Sequence, residues 1–523
     1  MNPFQEFRFW ARRAPASERV TAAVAGAIVV ALLGWLLVPG DDHTTKGQVV
    51  SGGAASAGAT AGTAASGVGS GGSASGGSGA LSSAGGGSAT GSASGSSAAS
   101  GATSGASPLS GGLASVQQGC VAPPGTARGV TATEVKVGVG LTQITGGLNG
   151  FFGIPAPDQL QRDYDAIFED INSHGGAGCR KIVATYFKVD PTNQGSMHQN
   201  CLDMAAAGVY AVIDAGALGS VTTEPVECLA QHRVLYFGAY YLASGLVQRL
   251  YPWLFTFYTY ENLYHDTAFA LRDRGFFDPA KGFKKLGFMY RSCYADAVAS
   301  YKRDLQGLGM TDANMVTFDL GCPSVFAPPS ALQQAVLKFQ AAGVTHVTEA
   351  NAQGDWPSYT QLAQQQGFKP TYGLPDEALI SIAYGNQPPD VNNMDGAVSI
   401  TESRDGEEKT PGVPKTPGTV RCDTIFKSHG QPGVFEQPGG AGNACDQSWM
   451  FQEAMNHAPN VQPESLVTGL QRTKSIDFSY PQGPNDFSGS RITIGGQFWR
   501  PAQFSKSCKC WRLIDTTFRP SYK

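Results

Sequence analysis

The stretch from Val130 to Ile182 constrains the chain most, because its apolar residues change period once within one continuous run. Val135, Val137 and Val139 alternate with small or polar residues and lead into a Thr- and Gly-rich turn, as a strand feeding a loop does. Leu160, Tyr164, Ile167, Phe168 and Ile171 then recur at helical spacing until Gly175 and Gly176 stop them. Strand, loop and helix in that order predict one crossover unit of an α/β domain.

The same alternation continues downstream. Strands are predicted at Lys181 to Phe187, Val209 to Gly216 and Val234 to Phe237, with helices at Ser196 to Ala207 and near Thr222 to Gln231. A second series runs through a strand at Lys285 to Tyr290, a helix at Tyr294 to Leu308, a strand at Met315 to Phe318 and a helix at Ser330 to Ala342. Strands at Thr345 to Ala350 and Thr371 to Leu374 complete it. Strands alternating with helices of this length imply parallel sheets. The fold class expected is α/β, with two doubly wound parallel-sheet lobes in tandem. Lobe one takes residues 130–255 plus part of 385–480, and lobe two takes 262–384 plus the C-terminal segment. Between the two series, Tyr236 to Tyr264 holds eleven aromatic residues in 29 positions. Arg404 to Ala444, rich in Pro and Gly, predicts a long excursion. Gln447 to Ala458 reads as a helix, and the tail from Arg491 as β-like.

The first 118 residues carry a different message. Val20 to Val38 is 19 residues without a charge, enough to cross about 30 Å of hydrocarbon. Arg8, Arg12, Arg13 and Arg19 precede it and Asp41 and Asp42 follow, which places residues 1–19 in the cytoplasm and the rest outside. No small-x-small cleavage site follows the span, so an uncleaved signal anchor is expected. Gly47 to Ala127 contains no charged residue, and Ser51 to Gly112 is almost wholly Gly, Ser, Ala and Thr. Such a segment cannot offset its own ordering entropy. Residues 39–118 are expected to form a flexible tether, in which Ser51 to Gln118 has a root-mean-square span of roughly 45 Å.

Charge narrows the function. Charged residues are 15% of the chain and the net charge is -4, which offers no basic footprint for nucleic acid. The ten cysteines beyond an apolar anchor predict an oxidising compartment and a disulfide framework. Cys201 with Cys228, Cys293 with Cys322, and Cys422 with Cys445 each bracket a compact stretch and are the expected pairs. Cys508 and Cys510 form a C-x-C.

Taken as a set, TATEVKVGV, INSHGG, KIVATYFKVDPTNQ, VYAVIDAGALGSVTTEPV, LYFGAYY, KLGFMYRSCYADAVASYKRDL and YGLPDEAL resemble the type I periplasmic solute-binding proteins of the leucine/isoleucine/valine-binding branch. The resemblance covers roughly Val130 to Ser399. It implies two lobes joined by a hinge that close on a ligand, no cofactor and no catalysis, and permease and ATPase subunits of an ABC transporter as partners. It implies ligand contacts from Thr145, Asn149, Ser220 and Tyr240 in lobe one, and from Tyr294, Gln353 and Asp376 in lobe two. Asp376 aligns with the acidic residue that meets the ligand ammonium in amino-acid binders of this family, with Glu377 as its rival. The loop AGALGSV offers one serine where amino-acid binders usually offer several.

Other functions find less support. Gly138-Val139-Gly140 suggests a dinucleotide fingerprint, but Gln143 stands where the third glycine belongs. Neither GxxxxGK[ST] nor HExxH occurs. A sensor ectodomain on the same fold, or a wall-associated structural protein, are the remaining alternatives. The 19 cytoplasmic residues would oblige a sensor to signal through a partner.

Overall fold

In the computed structural model, the residues described are 120–522, apart from 146–148, 151–153, 215–217, 219–221, 239–240, 323–325, 378–387, 405, 438–440, 481–484 and 489–497. The expected membrane span and tether lie outside them. Among the described residues no helix is long and apolar enough to cross a membrane.

Lobe one is built on a five-stranded sheet. Its strands are β1 (Glu134–Thr142), β2 (Lys181–Val189), β3 (Ala211–Asp214), β4 (Leu235–Gly238) and β5 (Leu254–Phe255), all parallel, in the order β2-β1-β3-β4-β5. The first unit forms as its periodicity predicts. Every residue of β1 after Lys136 is buried, and Pro157–Ser173 is a helix burying Leu160, Tyr164, Ile167, Phe168 and Ile171. Pro157 starts this helix, where its missing N–H costs nothing. Gly175 and Gly176 end it with φ of 104° and 76°, a region that only glycine enters freely.

Lobe two has five parallel strands, β6 (Leu286–Tyr290), β7 (Met315–Asp319), β8 (His346–Ala350), β9 (Thr371–Leu374) and β10 (Val398–Thr401). The sheet is extended antiparallel by β11 (Phe498–Ser505) and β12 (Cys510–Leu513), with β13 (Arg519–Pro520) also on β11. The order is β12-β11-β10-β9-β8-β6-β7. Strand order reverses between β1 and β3 in one lobe and between β6 and β8 in the other, which opens a crevice at the carboxyl ends of those strands.

The chain passes between lobes after β5, after β10 and again before β11. The Pro417–Ser428 and Ala441–His457 helices pack on lobe one against the Pro157–Ser173 helix. The expected long excursion from Arg404 to Ala444 is pinned by the Cys422–Cys445 disulfide and contains a regular helix. Its Pro417 occupies the first turn, where a missing N–H costs nothing, and Thr416 caps it by accepting from Thr419 N. The Pro463–Thr473 helix was also not expected from the sequence.

Where this last helix meets Ala441–His457, the backbones nearly touch. A Cβ on Gly469 would lie 2.1 Å from the Ala454 carbonyl oxygen. Gly469→Ala gains about 1 kcal/mol of helix propensity, but a backbone oxygen cannot swing aside. Overpacking should win and destabilise the domain by roughly 1–3 kcal/mol net. A thermal melt in which the variant equals or exceeds the wild type would show that the two helices separate at no cost.

Five disulfides form. Cys201–Cys228, Cys293–Cys322 and Cys422–Cys445 are the expected pairs, and Cys120–Cys179 and Cys508–Cys510 complete the set. Beside Cys179, Arg180 is buried and donates to the carbonyls of Thr131 (2.7 Å), Gly178 (2.9 Å) and Pro123 (2.9 Å). The start of the folded region is thus held by one covalent and three hydrogen bonds.

Candidate functional site

Two places at the carboxyl ends of the strands concentrate polar side chains. The first is a cavity of about 810 Å³ in lobe one, beyond β1 and β2, lined by Thr145, Asn149, Gln159, Lys188, Asp190 and Ser196 among others. Its loop is braced from within. Asn149 is buried, accepts from Ile144 N at 2.7 Å, and donates to the carbonyls of Thr142 (2.8 Å) and Pro155 (2.9 Å). Asp190 accepts from the Thr145 hydroxyl and N–H and from Thr192 N (2.9 Å) and Oγ1 (2.6 Å). Burial opposes the charge of Asp190, but the bonds from Thr145 and Thr192 outweigh it and hold the carboxyl below its usual range. Thr145 and Asn149 are therefore neighbours on one rim.

The second is the seam between the lobes. The Tyr241 hydroxyl, just beyond β4, donates to Asp376 Oδ2 at 2.9 Å, just beyond β9. Ser403, on the crossover after β10, donates to the same carboxylate from its N–H (2.9 Å) and its hydroxyl (3.1 Å). Tyr258, after β5, donates to the Glu402 carbonyl. The loops at the carboxyl ends of both sheets thus meet each other, and Asp376 is the pin.

A file of tyrosines runs through this seam. Ring centroids are 5.1 Å apart for Tyr241 and Tyr258, 5.6 Å for Tyr241 and Tyr260, 4.8 Å for Tyr260 and Tyr294, and 5.0 Å for Tyr264 and Tyr301. The aromatic-rich run of the sequence supplies most of it. Beside the rings lie three buried carboxyls, Asp376, Glu377 and Glu349. Glu377 Oε1 accepts from the Tyr264 hydroxyl and from Asn351 N, both at 2.8 Å, while its Oε2 is buried with no hydrogen-bond partner. Burial pushes Glu377 up to about 7, and the charge of Asp376 adds to that. Glu349 is raised well above the carboxylate range by burial first and by Glu377 second. Asp376 is also raised by burial, opposed by its bonds from Ser403 and Tyr241.

Of the residues expected at the site, Tyr294 and Asp376 come together in the seam, and Thr145 and Asn149 line the lobe-one cavity. Gln353 begins the 3-10 turn Gln353–Asp355 directly beyond β8. Ser220 and Tyr240 fall outside the described residues. Tyr241, Tyr258, Tyr260, Tyr264, Ser403 and Glu349 were not singled out from the sequence. For Glu349 a signal existed, since a carboxylate inside a central parallel strand needs a reason to be there.

No family model and no curated protein sequence matches the chain. Solved structures do. The solute-binding protein of an ABC transporter from R. palustris, in complex with 4-hydroxybenzoate, superposes with a TM-score of 0.56 at 12% identity, over 75% of this chain and 98% of that one. A type 1 periplasmic binding protein from Bordetella pertussis gives 0.54 at 15% identity, over 74% and 100%. An ABC transporter substrate-binding protein from Desulfitobacterium hafniense, in complex with Leu, gives 0.50 at 15%, over 73% and 100%. Two sheets whose parallel strands reverse order at an interior point, three crossings between them and these superpositions together mean that the folded region has the type I periplasmic binding protein fold.

Proposed function

We propose that this protein is a membrane-anchored extracytoplasmic solute-binding protein, which captures a small polar molecule by closure of its lobes and delivers it to the permease and ATPase of an ABC transporter. Val20 to Val38 is the anchor, and the Gly/Ser-rich segment lets the binding domain range away from the bilayer. No bond is made or broken in the cycle. The ligand shifts the population toward the closed state because some of its contacts exist only there.

The ligand class proposed is a small amine or amino-acid-like zwitterion. The observation that carries this is Glu377, a buried carboxyl with one oxygen committed to the protein and the other without a partner. A carboxylate so placed needs a proton or a cation. A ligand ammonium would serve, with Tyr260, Tyr264 and Tyr294 as walls around it. Thr145, Asn149, Ser220, Tyr240, Gln353 and Asp376 are the further contacts proposed on the two rims.

A thermal-shift screen of amino acids, amides, polyamines, aromatic acids and short peptides identifies the ligand. With that ligand, calorimetry on Glu377→Gln should record at least a tenfold weaker affinity, since a neutral amide replaces the cation's counter-charge. An unchanged affinity removes Glu377 from the site. Identical scattering profiles with and without the ligand would remove lobe closure from the mechanism.

A further inference from the structure

Four of the five disulfides tie distant parts of the chain together, with separations of 59, 27, 29 and 23 residues. The fifth does not. Cys508 and Cys510 are two residues apart, with only Lys509 between them. They sit in the turn joining β11 to β12, whose last register pair is Ser505 with Cys510. Cys508 therefore lies in the turn and Cys510 is the first residue of β12, so their bond does not link strand to strand. The stabilisation a disulfide provides grows with the loop that it closes, so this one contributes least to the folded state.

Three further features single the pair out. Lys509 is held at φ 55°, a left-handed conformation that a side chain with a Cβ adopts at a cost, so the backbone inside the small ring is strained. Cys508 is only half-buried whereas Cys510 is buried, so one sulfur can be approached and the other is sheltered. Lys506, Lys509 and Arg512 surround the pair in sequence, and Asp395 is the acid that faces the turn, through Lys506 at 3.1 Å. The turn is thus net positive, and a positive surrounding favours the thiolate, which is both the nucleophile and the leaving group of exchange.

We propose that Cys508–Cys510 is a thiol–disulfide exchange site for low-molecular-weight thiols, separate from the solute site. An external thiolate attacks Cys508 Sγ, the Cys508–Cys510 bond breaks, and Cys510 leaves as a thiolate that takes up a proton. A second external thiolate attacks the outer sulfur of the mixed disulfide, and Cys508 leaves as a thiolate and is protonated. Two electrons and two protons pass to the protein, and one external disulfide forms. The reverse sequence re-oxidises the pair. The four long-range disulfides are spectators throughout.

The test equilibrates the intact chain in glutathione buffers of graded reduced-to-oxidised ratio, quenches with an alkylating reagent and locates the labelled cysteines by mass spectrometry. Cys508 and Cys510 should be labelled at ratios about a hundredfold less reducing than those needed for any other pair, with the melting temperature unchanged. A Cys508→Ser/Cys510→Ser variant should melt with the wild type and show no labelling in that range. Labelling of this pair only together with the other eight cysteines, or only as the protein unfolds, overturns the proposal. So does labelling even in fully oxidised glutathione, which would mean that the pair never closes.

Discussion

Asp376→Ala is expected to lower the unfolding free energy of the folded region by about 2–4 kcal/mol. The carboxylate accepts three hydrogen bonds in a fully buried place, from the Tyr241 hydroxyl and from Ser403 N and Oγ. Truncation leaves all three donors facing a void. The cost of such unpaired buried groups exceeds the relief of removing a buried carboxyl that also repels Glu377. Because Tyr241 belongs to one lobe and Asp376 to the other, the loss falls on the joint between them. Asp376→Asn keeps the volume and one acceptor oxygen and should retain part of the stability. If Asp376 also meets the ligand, Asp376→Asn should still lose at least tenfold in affinity, which separates bracing from ligand contact. Denaturant unfolding reads the first effect and calorimetry the second. An alanine variant as stable as the wild type would mean that the seam does not depend on this pin.

The second large effect is with pH. Asp163 is buried on the Pro157–Ser173 helix, with Oδ1 accepting from Gln159 at 2.8 Å and Oδ2 without a partner. Burial pushes it from 3.8 up to about 7, against the opposing bonds from Gln159 and Gln437. Glu377 rises from 4.5 to about 7 by burial. A carboxyl whose folded pKa exceeds its unfolded one binds its proton more tightly when folded. Its stabilising contribution is complete below about pH 4 and is lost as pH rises through about 7. For Asp163 alone the rise corresponds to on the order of 4 kcal/mol. His346 works the other way, since burial lowers it to about 4 and stability is lost as pH falls below its unfolded value of 6.5. One histidine is outweighed by several raised carboxyls. The melting temperature should therefore fall between pH 5 and pH 8, and Asp163→Asn should flatten that fall. A melting temperature that climbs over the same interval would contradict the burial of these groups.

Much of this was legible locally. The period of Val135, Val137 and Val139 and that of Leu160 to Ile171 placed β1 and its following helix, because backbone geometry alone sets a repeat of two or of 3.6 residues. The strands that flank the crevice followed from the same alternation, whereas Tyr294 and Gln353 came from the family resemblance alone. Composition alone was less informative than period: the Pro- and Gly-rich run gave no sign of the helix that starts at Pro417.

The sequence by itself determined the two series of crossover units and the three compact disulfide pairs, all of which rest on neighbours near in the chain. Only the tertiary structure decided that Asp376 is held by Tyr241, 135 residues away, while its neighbour Glu377 keeps an oxygen without a partner. Two adjacent carboxyls in YGLPDEAL look alike in any local pattern. They differ in their partners, Tyr241 and Ser403 for Asp376 and Tyr264 and Asn351 for Glu377, which remote segments bring there through the packing of whole sheets.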